Sequence, residues 1–184
     1  MEEKLLNILK NKEVNLTEED ILNRFLDRFR WPKMYSWKQP SVEAILEDGS
    51  KHQDFFDEDG YLNSEKCIQC YEEGYTLILS NIGGFSKDVW MIQQLLNYQF
   101  KTTINMNFYF GNGKKSISFE KHNHPYPVIV KNIYGSSKWI IDEKETILEN
   151  QDVTYFDKLI DHQVIEINTP KLSLTCNIDT EEYK

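Results

Sequence analysis

Three of the four histidines in the sequence, His122, His124 and His162, have the type and spacing that could do chemistry. His122 and His124 stand two residues apart, so on a β-strand both imidazoles project from one face and form a chelating pair. His162 follows the run Asp152-Val-Thr-Tyr-Phe-Asp-Lys-Leu-Ile-Asp on a different expected strand. It supplies a third ligand if a sheet folds over to bring the two strands together. Three neutral imidazoles can bind a divalent metal and leave coordination positions open, which a site that works on a substrate requires. The plainer alternative for a bare His-x-His is a pair of surface or hydrogen-bonded histidines. His52, in the polar stretch Lys51 to Gly60, reads as a surface histidine. Cys67-Ile-Gln-Cys70 reads as two ordinary thiols near a core face, because no second ligand pair lies close to it.

The elements that must position these residues fall into two halves. Glu2 to Lys10 is a weak first helix candidate. Thr17-Glu-Glu-Asp20 reads as an N-cap with an acidic first turn, and Ile21, Leu22, Phe25, Leu26 and Phe29 recur at helical spacing. This predicts a helix to about Arg30, closed by Trp31-Pro32. Ser41 to Leu46 reads as a short helix and Asp48-Gly49 as a turn. Asn63-Ser64-Glu-Lys opens a further helix that Gly74 ends, Thr76 to Ser80 is a short strand, and Ser86 caps an amphipathic helix to about Gln99.

From Thr102 onward the pattern changes to short strand-like segments: Thr102 to Phe110, Ile117 to His122, Val128 to Ile133, Lys138 to Ile141, Thr146 to Leu148, Val153 to Phe156, Gln163 to Ile167 and Leu172 to Ile178. Turn residues at Gly111-Asn-Gly113, Pro125 to Pro127 and Tyr134-Gly135 part them. Such spacing points to a β-sandwich or jelly roll buttressed by helices. The expected chain is α+β, mainly β, and a single domain over 1–184, with 1–100 mainly helical and 101–184 forming the β-rich metal-binding core.

At 184 residues, 40% apolar and 13% aromatic, the chain can bury one sizeable core. Its formal charge of -9, from 21 basic and 30 acidic residues, argues against nucleic acid as a partner, since phosphate contacts need clustered Lys and Arg. A peptide, protein or small-molecule substrate is expected instead, and the acidic balance suits a basic one. No apolar run approaches the roughly 20 residues of a membrane span, and Met1-Glu-Glu-Lys starts no apolar signal core. No membrane association and a cytoplasmic location are therefore expected. Three cysteines, an odd count, argue against a disulfide scaffold. Oligomeric state is left open, a homodimer included.

The stretch His122-Asn-His-Pro-Tyr-Pro-Val-Ile-Val-Lys-Asn-Ile-Tyr-Gly-Ser-Ser-Lys-Trp139 resembles the strand pair of JmjC-type oxygenases of the cupin superfamily, especially the bacterial ribosomal-oxygenase-like branch. Asp152-Val-Thr-Tyr-Phe with His162, Leu172-Ser-Leu-Thr-Cys-Asn177, and upstream Gly74-Tyr-Thr-Leu-Ile-Leu and Asn107-Phe-Tyr109 fall in that family's order. The likeness covers roughly residues 60 to 180. It implies a double-stranded β-helix, and Fe(II) and 2-oxoglutarate as metal and cosubstrate of a hydroxylase. By resemblance, His122, His124 and His162 are the metal ligands. Asn107 and Tyr109 line the cosubstrate pocket, and Asn132 shares a pocket-facing side of its strand with Val128 and Val130.

Two positions depart from the family. His124 stands where the family has an aspartate, which converts a 2-His-1-carboxylate triad into three neutral ligands. Ser137 stands where the cosubstrate's anchoring cation is expected, with Lys138 beside it as the candidate basic residue. Besides the oxygenase that the resemblance implies, two further functions stay open. One is a three-histidine dioxygenase that ignores 2-oxoglutarate, and the other is a non-catalytic cupin acting as a binding or partner subunit.

Overall fold

Strand formers, most of them in the second half of the chain, assemble into two antiparallel sheets, and the helices of the first half cover one of them. The computed structural model describes residues 2–35, 39–115, 118–167 and 169–179. In chain order the elements are α1 (Glu2–Asn11), α2 (Glu18–Phe25), a 3₁₀ turn (Arg28–Arg30), β1 (Val42–Ile45), β2 (Lys51–His52), α3 (Ser64–Glu72), β3 (Thr76–Ser80) and α4 (Lys87–Phe100). They are followed by β4 (Asn105–Gly111), β5 (Val128–Tyr134), β6 (Ser137–Ile141), β7 (Lys144–Leu148), β8 (Val153–Phe156), β9 (His162–Glu166) and β10 (Lys171–Asn177).

The larger sheet has the order β2-β1-β3-β4-β10-β5-β8 and the smaller β7-β6-β9. From β4 onward the chain crosses repeatedly between them. β4, β5, β8 and β10 lie in the large sheet, while β6, β7 and β9 lie in the small one. His122 joins the small sheet through an antiparallel bridge to His162, each N–H donating to the other's carbonyl at 3.1 and 2.8 Å. This alternation is a double-stranded β-helix. Gly135 turns β5 into β6 at φ +76°, and a Cβ there would collide with the Pro170 carbonyl, so only glycine fits the crossing.

Strict alternation along the strands gives the large sheet two unlike faces. Leu77, Leu79, Met106, Phe108, Phe110, Leu172, Leu174 and Cys176 meet the buried faces of the helices, among them Leu9, Phe25, Cys67, Val89 and Leu96, in one hydrophobic cluster. The intervening residues face the small sheet, and register pairs Ser80 with Asn107, Asn107 with Thr175, and Tyr109 with Ser173. A second cluster of Val128, Val130, Trp139, Leu148 and Phe156 joins the sheets.

Several local expectations change. Ser41 to Leu46 is not a helix: Val42–Ile45 is a fully buried strand pairing with β3, because contact with the helix layer on one face and a cleft on the other overrides the helix propensity of Glu and Ala. The helix opened by the Thr17–Asp20 capping box stops at Phe25 rather than near Arg30. Leu26 and Phe29 then point outward, Phe29 being 71% exposed, so the helical repeat ends with the core contact. Of the segment expected as a strand from Ile117 to His122, Ile117 lies outside the described residues and only His122 pairs. His52 is half-buried at the sheet edge, against the Phe55 ring at 5.0 Å. Cys67 and Cys70 are free and buried, and burial pushes both thiols up, Cys70 to about 11, as unreactive core thiols require.

Candidate metal centre

His122, His124 and His162 converge. Each offers one ring nitrogen, and those atoms all lie within 4.8 Å of one another. The ring centroids are 5.0 Å apart for His122 and His124, 4.4 Å for His122 and His162, and 5.1 Å for His124 and His162. The mutual backbone bridge places His122 and His162 directly opposite each other. The Leu159 N–H, donating to the His124 carbonyl at 2.7 Å, ties in the third.

The residues between the histidines explain why the segment holds its shape. Alternation turns Lys121 and Asn123 outward while His122 and His124 turn inward. Asn123 donates to Asp161 at 2.8 Å and Lys121 pairs with the same carboxylate at 3.3 Å. These contacts hold the Asp161 carboxyl below its usual range, the Asn123 hydrogen bond contributing most. Asp161 therefore clasps the strand that bears His162 to the one that bears the chelating pair.

Ring orientation favours metal binding. The Nδ1 of His122 lies 2.7 Å from the Glu120 carbonyl and that of His162 lies 2.9 Å from the Ile160 carbonyl. A carbonyl only accepts, so each Nδ1 carries the proton and each Nε2 keeps its lone pair for a metal. His124 stacks on Tyr126, with centroids 5.3 Å apart and planes 6° from parallel. Burial, with the neighbouring histidines, pushes His124 down to about 4, and burial also lowers His162. Both are neutral at pH 7, the form in which imidazole ligates. The donor set contains no carboxylate. Three neutral nitrogens with open positions suit a divalent metal and leave its full charge on the site.

The histidines stand between two compartments. Behind them, between the sheets, lies a narrow cavity of about 50 Å³, space for a few water molecules. Its walls include Val128, Val130, Trp139, Phe156 and the polar side chains of Thr76, Ser173, Thr175 and Lys171. In front lies an open cleft of about 620 Å³, lined by Glu43, Lys51, Asn105, Asn107, Tyr126 and Asn177 among others. His122, His124, Tyr109 and Phe119 border both.

The other candidate residues separate into distinct roles. Tyr109 borders both compartments, and burial raises its phenol. Asn107 lines the outer cleft rather than the inner cavity. Asn132 is fully buried on the same side of β5 as Val128 and Val130, but its amide turns to donate to the Gly135 carbonyl at 2.6 Å. Lys138 faces away from both compartments and pairs with Glu145 at 2.8 Å. A bulge at Lys138/Trp139 does not turn it inward, because Ser137 and Trp139 occupy the interior side, Trp139 Nε1 donating to Ser137 Oγ at 2.9 Å.

The cation that does reach the inner cavity is Lys171, which no sequence motif singles out. It is 4% exposed, makes no ion pair among the described residues, and places its Nζ 5.5 Å from the centre of the Trp139 ring. That ring in turn lies 6.5 Å from His162. Burial alone pushes the amine down to about 7. The available signal was the polar series 171, 173, 175, 177 on one side of β10, which is read more simply as a solvent-facing side.

The sequence matches no protein-family model and no curated protein. Solved structures of similar fold include a cupin superfamily protein from Desulfitobacterium hafniense, 14% identical with a TM-score of 0.36, over 40% of this chain and 65% of that one. Others are an RmlC-like cupin family protein from Methanocaldococcus jannaschii, 12% identical, TM-score 0.36, over 40% and 68%, and KdgF from Halomonas, 10% identical, TM-score 0.37, over 44% and 74%. Strand order in this chain carries the assignment. The fold is a double-stranded β-helix. Similarity at these identities extends to architecture and not to activity.

Proposed function

We propose that this cupin is a metal-dependent oxygenase of the Fe(II) and 2-oxoglutarate kind that its sequence resembles. It would seat the carboxylate end of a 2-oxo acid in the inner cavity and a peptide, protein or small-molecule substrate in the outer cleft. Lys171 is the observation that carries this reading. A buried ammonium without a carboxylate partner is costly to the fold, and an acid entering the cavity compensates it. Ser173, Thr76 and Tyr109 add hydroxyls on the same side. His122, His124 and His162 hold the metal, and a bound iron would supply the oxygen chemistry. Val128, Val130, Trp139 and Phe156 keep the inner compartment dry, which strengthens the Lys171–carboxylate attraction.

The test is anaerobic reconstitution with Fe(II), followed by titration of 2-oxoglutarate while monitoring the metal-to-ligand absorption band. The band is expected in wild type and Lys138→Ala and absent in His122→Ala and His162→Ala. Lys171→Met should weaken the acid at least tenfold, from loss of a charge-assisted hydrogen bond worth about 1.5–3 kcal/mol. Metal binding unchanged in the histidine variants, or acid affinity unchanged in Lys171→Met, sinks the proposal.

The all-nitrogen donor set and the small inner cavity favour a second reading, a three-histidine dioxygenase that needs no 2-oxo acid. Oxygen uptake that ignores added 2-oxoglutarate would select it.

A further inference from the structure

Four side chains border both the open cleft and the inner cavity: Tyr109, Phe119, His122 and His124. Three of them are fixed. Tyr109 stands on β4, whose backbone is locked between β3 and β10, opposite Ile78 and Ser173. His122 exchanges two backbone hydrogen bonds with His162 and sets its Nδ1 on the Glu120 carbonyl. His124 stacks on Tyr126, and its carbonyl accepts from the Leu159 N–H.

Phe119 is held differently. It is half-buried on the stretch Ser118 to Lys121, which belongs to no strand. Among the described residues, none of the backbone N–H groups of that stretch donates a hydrogen bond, and of its carbonyls only that of Glu120 accepts one. The Phe119 ring meets Tyr109 and His122 nearly at right angles, with centroids 6.3 and 5.6 Å apart, and the Lys51 ammonium lies 5.7 Å from its centre. Lys51 is also committed to Glu43, at 3.0 Å. Chain with so few backbone hydrogen bonds opens at low free-energy cost. Turning the ring aside gives up those contacts without breaking a strand pairing or removing a histidine, and the cleft of about 620 Å³ has room to receive it.

We propose that Phe119 is a gate that controls passage of a small acid from the outer cleft to Lys171. Closed, its ring separates the cavity behind the histidines from the water of the cleft. Open, it uncovers the way between Tyr109 and the histidines. The inference rests on the proposed function only for the identity of what passes.

Two measurements on the full chain test it. The first needs neither metal nor acid: fluorine NMR relaxation dispersion on protein labelled with 4-fluorophenylalanine, the Phe119 line being assigned by its loss in Phe119→Leu. The fluorine lies on the ring-flip axis, so flips alone do not move it. Exchange on the microsecond to millisecond scale is expected at Phe119 and not at Phe156, which is packed between the sheets. The second is stopped-flow mixing of the anaerobic Fe(II) protein with 2-oxoglutarate, following the metal-to-ligand band. Phe119→Ala should raise the association and dissociation rates together, each about tenfold, and change affinity less than about threefold, because a gate alters the path and not the end states. Phe119→Leu should move both rates the same way by less, and it covers the case in which Phe119→Ala fails to fold. A flat dispersion profile at Phe119, or wild-type rates in the variants, overturns the gate. So does a loss of affinity carried by dissociation alone, which marks Phe119 as an ordinary wall. Absence of the band in wild type sinks the oxygenase reading instead, and the dispersion profile then decides the gate by itself.

Discussion

Lys131 and Lys171 lie on neighbouring strands of one sheet and are 2% and 4% exposed, yet they face opposite ways and are treated differently. Lys131, on the helix side of β5, donates to the Leu9 and Gln151 carbonyls, both at 3.1 Å, and so ties α1 to the sheet. Lys171, on the cavity side of β10, has an aromatic ring beneath it and no acceptor recorded among the described residues. Burial lowers both amines, to about 8 and about 7. The same cost is offset inside the fold for Lys131 and left for a ligand to offset for Lys171. A buried charge that the protein satisfies is architecture, and one that it leaves open is a candidate for binding.

Substitution by an isosteric apolar residue should separate the two sharply. Lys131→Met removes both tethers, leaving the Leu9 carbonyl its weaker bond from the Lys12 N–H and the part-buried Gln151 carbonyl without the lysine, and is expected to destabilise by about 1–3 kcal/mol in chemical denaturation. Lys171→Met removes a desolvated charge and strands nothing, so it should stabilise by roughly 1–2 kcal/mol at pH 6. Equal losses from both would erase the distinction.

Acidity sharpens the contrast further. The folded pKa of Lys171, about 7, lies below the ordinary 10.5. Between those values the unfolded chain binds the extra proton, so wild-type stability rises with pH across that window. The advantage of Lys171→Met should be full below pH 7 and vanish near pH 10.5. Denaturation at pH 6, 8 and 10 reads it directly, and a constant difference contradicts the placement of Lys171.

On the opposite wall the outward-facing clasp can be tested alone. Asp161→Ala should weaken metal binding about tenfold, or about 1.4 kcal/mol, by loosening the two histidine strands without removing a ligand. Metal titration followed by calorimetry measures it. The smallest effect belongs to Lys138, whose pair with Glu145 is largely solvated. Lys138→Ala should change stability by less than about 0.5 kcal/mol and leave acid binding intact.

What the sequence revealed follows the same division. The histidines were legible because their types are rare in this chain and their order along it survives folding. Period-2 alternation and turn residues exposed most strands from β4 to β10. Alternation, however, says which residues share a side and not which side is wet. The polar series from Lys171 to Asn177 would suit a solvent face equally well, yet it lines a cavity and a cleft. Lys138 seemed the nearer cation because the chain neighbours Ser137, whereas the cavity is closed by β10 from the other sheet. Val42–Ile45 was missed as a strand because its longer pairing, with β3, lies more than thirty residues away, and its local hairpin across Asp48-Gly49 reaches only the two-residue β2.

The proposed chemistry needs one metal and one acid, held by residues from both sheets. A crystal structure of the protein loaded with Fe(II) and 2-oxoglutarate, with anomalous data at the iron edge, tests it most directly. The expected result is a single anomalous peak about 2.1 Å from the Nε2 atoms of His122 and His162, also ligated by His124, with a carboxylate against Lys171 Nζ. A metal bound elsewhere, or an acid lying against Lys138 instead of Lys171, would contradict it.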